Sequence, residues 1–221
     1  MIEIHNLTKR FKNKVIFQET SFTACSGKIT ILTGRSGIGK TTLLNMIAGL
    51  QRMDSGSYRY EGRELSNLSD EELSAFRGGY IGYIPQDFAL IEDYTVKENI
   101  LLPNLYNKQK DMEQAERKML EYLRLFDLTS LSDKRVRTLS GGQKQRVAII
   151  RSIIGSPKIL LADEPTTNLD EENLALVIDL LQEQKAAGTI VIVASHDSRL
   201  QKIADTTYEI KDRKLQLVEE K

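Results

Sequence analysis

The sequence predicts an α/β protein with a mainly parallel sheet at its core, an antiparallel β subdomain on the N-terminal side and a helical subdomain inserted over residues 87–156 or so. Three observations lead there. The β-rich run Ile29–Thr33 passes directly into a glycine-rich loop, and the residues beyond it (Leu43, Leu44, Ile47, Ala48) recur at helical spacing. After Pro157 the same alternation returns: an apolar run to Asp163, then Leu174, Val177, Ile178 and Leu181 at helical spacing, then β-branched Thr189–Ala194. Apolar runs without alternation suit strands covered on both faces, as in parallel sheets. Between these two blocks the chain reads as mostly helical.

Each element has its own reason. Ile2, Ile4 and, less strictly, Leu7 alternate as in a half-buried strand. A second strand is expected over Val15–Phe22, with Gly27 turning the chain into the third. Gly49 closes the first helix. Ser57–Tyr60 is another strand, ended by Glu61-Gly62, and Ser69–Phe76 is a short polar helix. Tyr80–Ile84 is a strand stopped by Pro85-Gln86. Thr95-Val96-Lys97-Glu98 is a capping box that starts a helix. Met112, Ala115, Met119, Leu123 and Phe126 share one helical face, which reads as core packing and not as a ligand box. Gly188 closes the helix after Asp170. Thr206–Ile210 and Lys214–Val218 are the last strands.

Composition bounds the function. The chain has 221 residues, enough for one large domain, with 31 Lys plus Arg against 31 Asp plus Glu. Nucleic-acid binders need a basic field to displace counterions, and this balance argues against one. The single cysteine, Cys25, rules out an internal disulfide and suits a reducing compartment; it reads as a small buried residue beside a turn. No run reaches the roughly 18 apolar residues that span a bilayer, and Met1–His5 shows no signal-peptide start. The expectation is a cytoplasmic protein that meets a membrane only through another chain.

The chemistry lies in three signatures. Gly34-Arg35-Ser36-Gly37-Ile38-Gly39-Lys40-Thr41 fits the phosphate-loop pattern G-x-x-x-x-G-K-[ST] at every position. Glycines at Gly34, Gly37 and Gly39 let backbone amides face polyphosphate, and the following helix N-terminus adds its positive end. Lys40 suits the β and γ phosphates, and Thr41 a magnesium ion, with Thr42 completing the loop. Ile159–Asp163 is a buried strand whose last residue, Asp163, reaches the sheet edge where such folds bind ligands, so it suits the metal. Glu164 beside it suits the proton of an attacking water. Leu139-Ser140-Gly141-Gly142-Gln143 is a second capping box, with two glycines in a first helical turn. Glycine costs about 1 kcal/mol inside a helix, so the pair points to a free helix end serving as a second anion site.

Together with Pro85-Gln86, Asn168-Leu169-Asp170 and Ser195-His196-Asp197, these signatures resemble the ATP-binding subunit of ABC transporters over essentially the whole chain. The resemblance implies a phosphate-loop (P-loop) NTPase core that binds ATP and Mg²⁺. It implies that Gln86 links metal and γ-phosphate to the helical insertion, that His196 contacts the γ-phosphate, and that Asp170 crosses a dimer interface. Phe11 stands where the family usually carries an aromatic stacked on adenine, often Tyr. It further implies an ATP-dependent head-to-tail homodimer in which each ATP lies between one chain's glycine loop and the other's Leu139–Gln143, and a membrane permease on a separate chain.

Leu65–Leu73, Phe76-Arg77 and Ile81-Gly82 resemble one subclass of that family. It contains macrolide-efflux, lipoprotein-release and bacteriocin exporters together with a cell-division relative. An export or extraction ATPase is therefore expected, peripheral on the inner face of the membrane, with a cell-division switch as the alternative. Soluble relatives that act on chromosomes carry a far longer insertion, and translation factors carry two such domains.

Overall fold

The computed structural model describes residues 1–105, 111–167 and 169–221. Residue Asn168 and five positions of the helical insertion lie outside the described residues.

Strands β1 (Ile2–Phe11), β2 (Lys14–Ala24), β4 (Ser55–Tyr60) and β5 (Arg63–Glu64) form an antiparallel sheet in the order β2-β1-β4-β5. A second sheet runs β10-β9-β3-β8-β7-β6, from β3 (Ile29–Thr33), β6 (Ile81–Ile84), β7 (Ile159–Asp163), β8 (Ile190–Ala194), β9 (Thr206–Lys211) and β10 (Lys214–Glu220). Every pairing in it is parallel except β9 with β10. This is the predicted architecture.

Helix α1 (Lys40–Ile47) follows β3, and α2 (Asp70–Tyr80) precedes β6. The insertion holds α3 (Val96–Leu105), α4 (Met112–Leu125) and α5 (Gly141–Ile153), and α6 (Glu171–Ala186) and α7 (Ser198–Lys202) flank β8. Both predicted capping boxes form. Thr95 Oγ1 accepts from the Glu98 amide while Glu98 Oε2 accepts from the Thr95 amide, and Ser140 and Gln143 exchange the same pair of bonds.

Period-two alternation divides the parallel sheet between two cores. Ile31, Leu160, Ala162, Val191 and Val193 face α3–α6 and pack with Ala115, Met119, Leu123 and Phe126, so the predicted α4 stripe is core except at Met112, which is half-buried. Leu32, Ile159, Leu161, Ile190 and Ile192 face the other way, against α1 and the antiparallel sheet. With both faces covered, the strands read as unbroken apolar runs, and β7 and β8 are buried at every position.

Leu7 breaks the alternation of β1 for a local reason. The register with β2 shifts between Ile4 and Leu7, and Asn6 lies at φ 53. The irregularity restores the inward direction, and Ile2, Ile4 and Leu7 are all fully buried. Cys25 is half-buried at the end of β2, less enclosed than its composition suggested.

Candidate functional site

The carboxyl ends of β3, β7 and β8 and the start of α1 surround a cavity of about 670 Å³. Gly34, Arg35, Ser36, Gly37, Gly39, Lys40, Thr41, Thr42, Gln86, Asp163, Glu164 and His196 line it, so residues up to 162 positions apart converge there. Ile16 and Thr167 also line it, and neither was expected. Ile38 packs against the core beside α1 instead, and its amide donates to Arg35 O at 3.2 Å.

The loop is shaped around its glycines. Gly34, Gly37 and Gly39 have φ 136, 70 and 126, and a Cβ on Gly39 would stand 2.6 Å from Ile16 Cγ2. Strand β2 thus closes on the loop from below, which is how Ile16 comes to the cavity wall. The helix beyond is left open at its N-terminus. Gly39 provides no side-chain cap, the first turn of α1 has no acidic residue, and the first helical bond runs from the Leu43 amide to Gly39 O. The amides of Lys40, Thr41 and Thr42 therefore lack intrahelical acceptors. By contrast α2, α4, α5, α6 and α7 each carry a capping side chain. An uncapped helix end facing a cavity is a site for an anion.

Lys40 Nζ donates to Gly34 O at 2.9 Å, which folds the ammonium over the loop. The Thr41 hydroxyl donates to Asp163 Oδ2 at 2.5 Å. Asp163 is 2% exposed, and that burial pushes its carboxyl above the ordinary range despite the Thr41 bond and the Lys40 charge, with neighbouring Glu164 pushing the same way. A buried carboxylate paired with a hydroxyl beside a phosphate-type anion site has the donor chemistry of a magnesium site, so the residues fit that ion.

Glu164 leaves the strand in a left-handed conformation, φ 49, with its amide donating to Ala194 O at 2.8 Å. This turn separates the two adjacent carboxylates. Asp163 stays with Thr41, while Glu164 reaches His196, whose Nδ1 lies 3.0 Å from Oε2. Ser195 Oγ donates to the same carboxylate at 3.3 Å and accepts from the Asp197 amide at 3.1 Å. Ser195 is fully buried and was not foreseen as a partner of Glu164. The apolar–Ser–His–Asp run was the available signal.

Other expected residues lie outside the cavity lining. Phe11 ends β1, is 45% exposed, and has the Lys9 ammonium 5.4 Å from its ring centroid. Asp170 caps α6, accepting from the Asn173 amide at 2.9 Å, and this bond holds its carboxyl below the ordinary range. Leu139–Gln143 sit at the start of α5. The predicted capping box engages the amides of Ser140 and Gln143, and those of Gly141 and Gly142 lie between them.

No helix among the described residues is long and apolar enough to cross a membrane. The ABC transporter family profile matches residues 17–167. The chain is 36% identical over 220 residues to the lipoprotein-releasing system ATP-binding protein LolD of Buchnera aphidicola subsp. Schizaphis graminum, covering 97% of this chain and 96% of that protein. It is 34% identical to the macrolide export ATP-binding/permease protein MacB of Chlorobaculum tepidum, spanning 96% of this chain but 33% of that longer protein. Among solved structures, the dimeric bacterial ABC transporter cassette MJ0796 superposes with a TM-score of 0.90 at 30% identity, covering 98% of this chain and 97% of that one. The same cassette in a post-hydrolysis dimer bound to ADP and Pi gives 0.91 at 29% identity, covering 100% and 99%. With the cavity, the uncapped helix end and these likenesses together, the chain belongs to the ABC transporter family as an ATP-binding cassette with ATPase chemistry.

Proposed function

We propose that this chain powers an export or extraction system of the lipoprotein-releasing or macrolide-exporting kind, acting on a membrane permease carried by a separate polypeptide. The observation that carries the reading is its near full-length likeness to LolD, a protein named for ATP binding within a lipoprotein-releasing system. MacB, which joins ATP-binding and permease functions in its name, is matched over a third of its length. The cell-division alternative gains no support from either relative.

In this reading the amides of Lys40–Thr42 and the Lys40 ammonium bind the β and γ phosphates of ATP, and Phe11 stacks on adenine. Thr41 and Asp163 would hold Mg²⁺, with Gln86 beside them in the cavity lining. Bound there, the ion would supply charge neutralisation at the phosphates. Glu164 takes the proton of the attacking water, and His196 with Ser195 fixes the orientation of its carboxylate. Leu139–Gln143 offer the Gly141 and Gly142 amides to the ATP of a second copy, and Asp170 lies at the seam of that head-to-tail dimer. Closing and opening of the dimer drive the permease, which holds the chain at the inner face of the membrane.

Glu164→Gln should retain ATP and accumulate as a dimer with a permease attached after detergent extraction; Lys40→Ala should yield neither. A Glu164→Gln protein that dimerises with ATP yet retains no integral membrane protein would overturn the transport reading. Failure to dimerise would overturn the site reading.

A further inference from the structure

Helix α5 runs from the Leu139–Gln143 signature to strand β6, whose end carries Gln86. Two contacts fix it there. A Cβ on Gly82 would stand 2.0 Å from the Ser152 carbonyl oxygen, so helix backbone lies directly on strand backbone. On the preceding residue of the helix, Arg151 donates through Nη1 to Ala89 O at 2.5 Å and through Nη2 to Phe88 O at 2.7 Å.

Those two carbonyls belong to an unusual piece of chain. Phe88 and Ala89 both have positive φ, 65 and 45. Left-handed backbone costs an L residue about 1–2 kcal/mol, so two in succession need a constraint from outside. The Phe88 amide donates to Pro85 O at 3.2 Å, a turn that encloses Gln86, and the Ala89 amide donates to Asp87 O at 2.8 Å in the next turn. The planar guanidinium supplies paired donors in one plane, a geometry that an ammonium cannot copy.

We infer that Arg151 is the positioning residue for Gln86: its guanidinium fork holds the Phe88 and Ala89 carbonyls in the left-handed turn that keeps Gln86 at the nucleotide cavity. The effect on turnover rests on the role given to Gln86 above. The clamp itself does not.

The test compares Arg151→Ala, Arg151→Lys, Gln86→Ala and the Arg151→Ala/Gln86→Ala double variant as purified full chains. Amide exchange over residues 86–92 should rise about 10-fold or more in Arg151→Ala while β7 and α1 keep their protection. kcat should fall by about 10- to 100-fold, the scale for a misplaced group, with KM for ATP moving by less than about twofold. The double variant should be no slower than Gln86→Ala alone, because residues acting through one another are not additive. Arg151→Lys should recover only part of the exchange protection, and it carries the same measurements if Arg151→Ala does not fold. Unchanged exchange over 86–92 overturns the clamp. Raised exchange with losses that multiply shows that Arg151 does not act through Gln86 and overturns the positioning role. Raised exchange with parental turnover in Gln86→Ala supports the clamp and removes Gln86 from the chemistry.

Discussion

Glu164 meets His196 at 3.0 Å only because Glu164 takes the left-handed conformation at φ 49. An extended residue there would continue the alternation of β7 and carry the carboxylate away from the His196 ring. The protein therefore keeps about 1–2 kcal/mol of backbone strain at the one position where a second carboxylate has to leave the strand. Strain observed at such a position is a reason to assign it a role.

If Glu164 is the base, Glu164→Gln should lower kcat by at least about 100-fold while ATP still binds, since general-base catalysis is typically worth about 10²–10⁴-fold. His196→Ala should lower hydrolysis without weakening binding to the same extent. Single-turnover hydrolysis with binding measured in parallel decides this. Parental turnover in Glu164→Gln would move the proton acceptor elsewhere.

The Thr41–Asp163 bond at 2.5 Å predicts a different phenotype. If both groups hold the proposed Mg²⁺, Asp163→Asn and Thr41→Ala should raise the magnesium concentration needed for half-maximal turnover, and Thr41→Ser should restore it. A magnesium titration of ATPase activity reads this directly. An unshifted midpoint in Asp163→Asn would remove that carboxylate from the ion.

Close contacts at two glycines predict steric failures. Gly39→Ala places its Cβ 2.6 Å from Ile16 Cγ2 at a φ of 126, so the loop must open. Gly82→Ala meets a backbone oxygen at 2.0 Å and must push α5 from β6. Each should cost about 1–3 kcal/mol of stability, as overpacking typically does. Gly39→Ala should also abolish ATP binding, while Gly37→Ala, with nothing within 4 Å, should suffer only from its φ of 70. Urea melts of the set test the order.

Much of this site is legible in sequence because its chemistry demands residue types at fixed spacing. A phosphate loop needs glycine where φ is positive and Lys-Thr where the helix begins, so Gly34–Thr42 announce themselves. The capping box at Ser140 is equally local. What stays hidden is contact between distant segments. Nothing around Ile16 marks it as the wall under Gly39, and the Arg151 bonds to Phe88 and Ala89 join segments more than 60 residues apart. Backbone conformation is hidden too where glycine does not report it: Glu164, Phe88 and Ala89 carry positive φ with ordinary side chains. Phe11 shows the opposite limit, since its family position was readable but its place outside the cavity lining was not.

Asp205 supplies a test of the fold that leaves the site untouched. Its Oδ2 accepts from the Ile29 amide at 2.8 Å and its Oδ1 from Lys185 Nζ at 2.6 Å, which ties the start of β3 to the end of α6. Burial pushes this carboxyl up, but the Ile29 amide and the Lys185 ammonium outweigh it, and the net shift is below the ordinary 3.8. A carboxyl lowered by folding contributes stability that is fully present above its unfolded value and lost as pH falls through the lower folded value. Lys185 and Asp205 side chains are 35% and 19% exposed, so solvent screens the pair. Asp205→Asn should therefore cost about 1 kcal/mol at pH 7, or about 2–4 °C in Tm for a chain of this size. That cost should hold from pH 7 down to pH 5 or so and shrink below the ordinary carboxylate range, as the parent carboxylate takes up a proton and becomes neutral like the amide. Urea denaturation of both proteins across this range gives the difference. A gap that stays constant into acid would assign the stabilisation to the shape of the side chain and not to its charge.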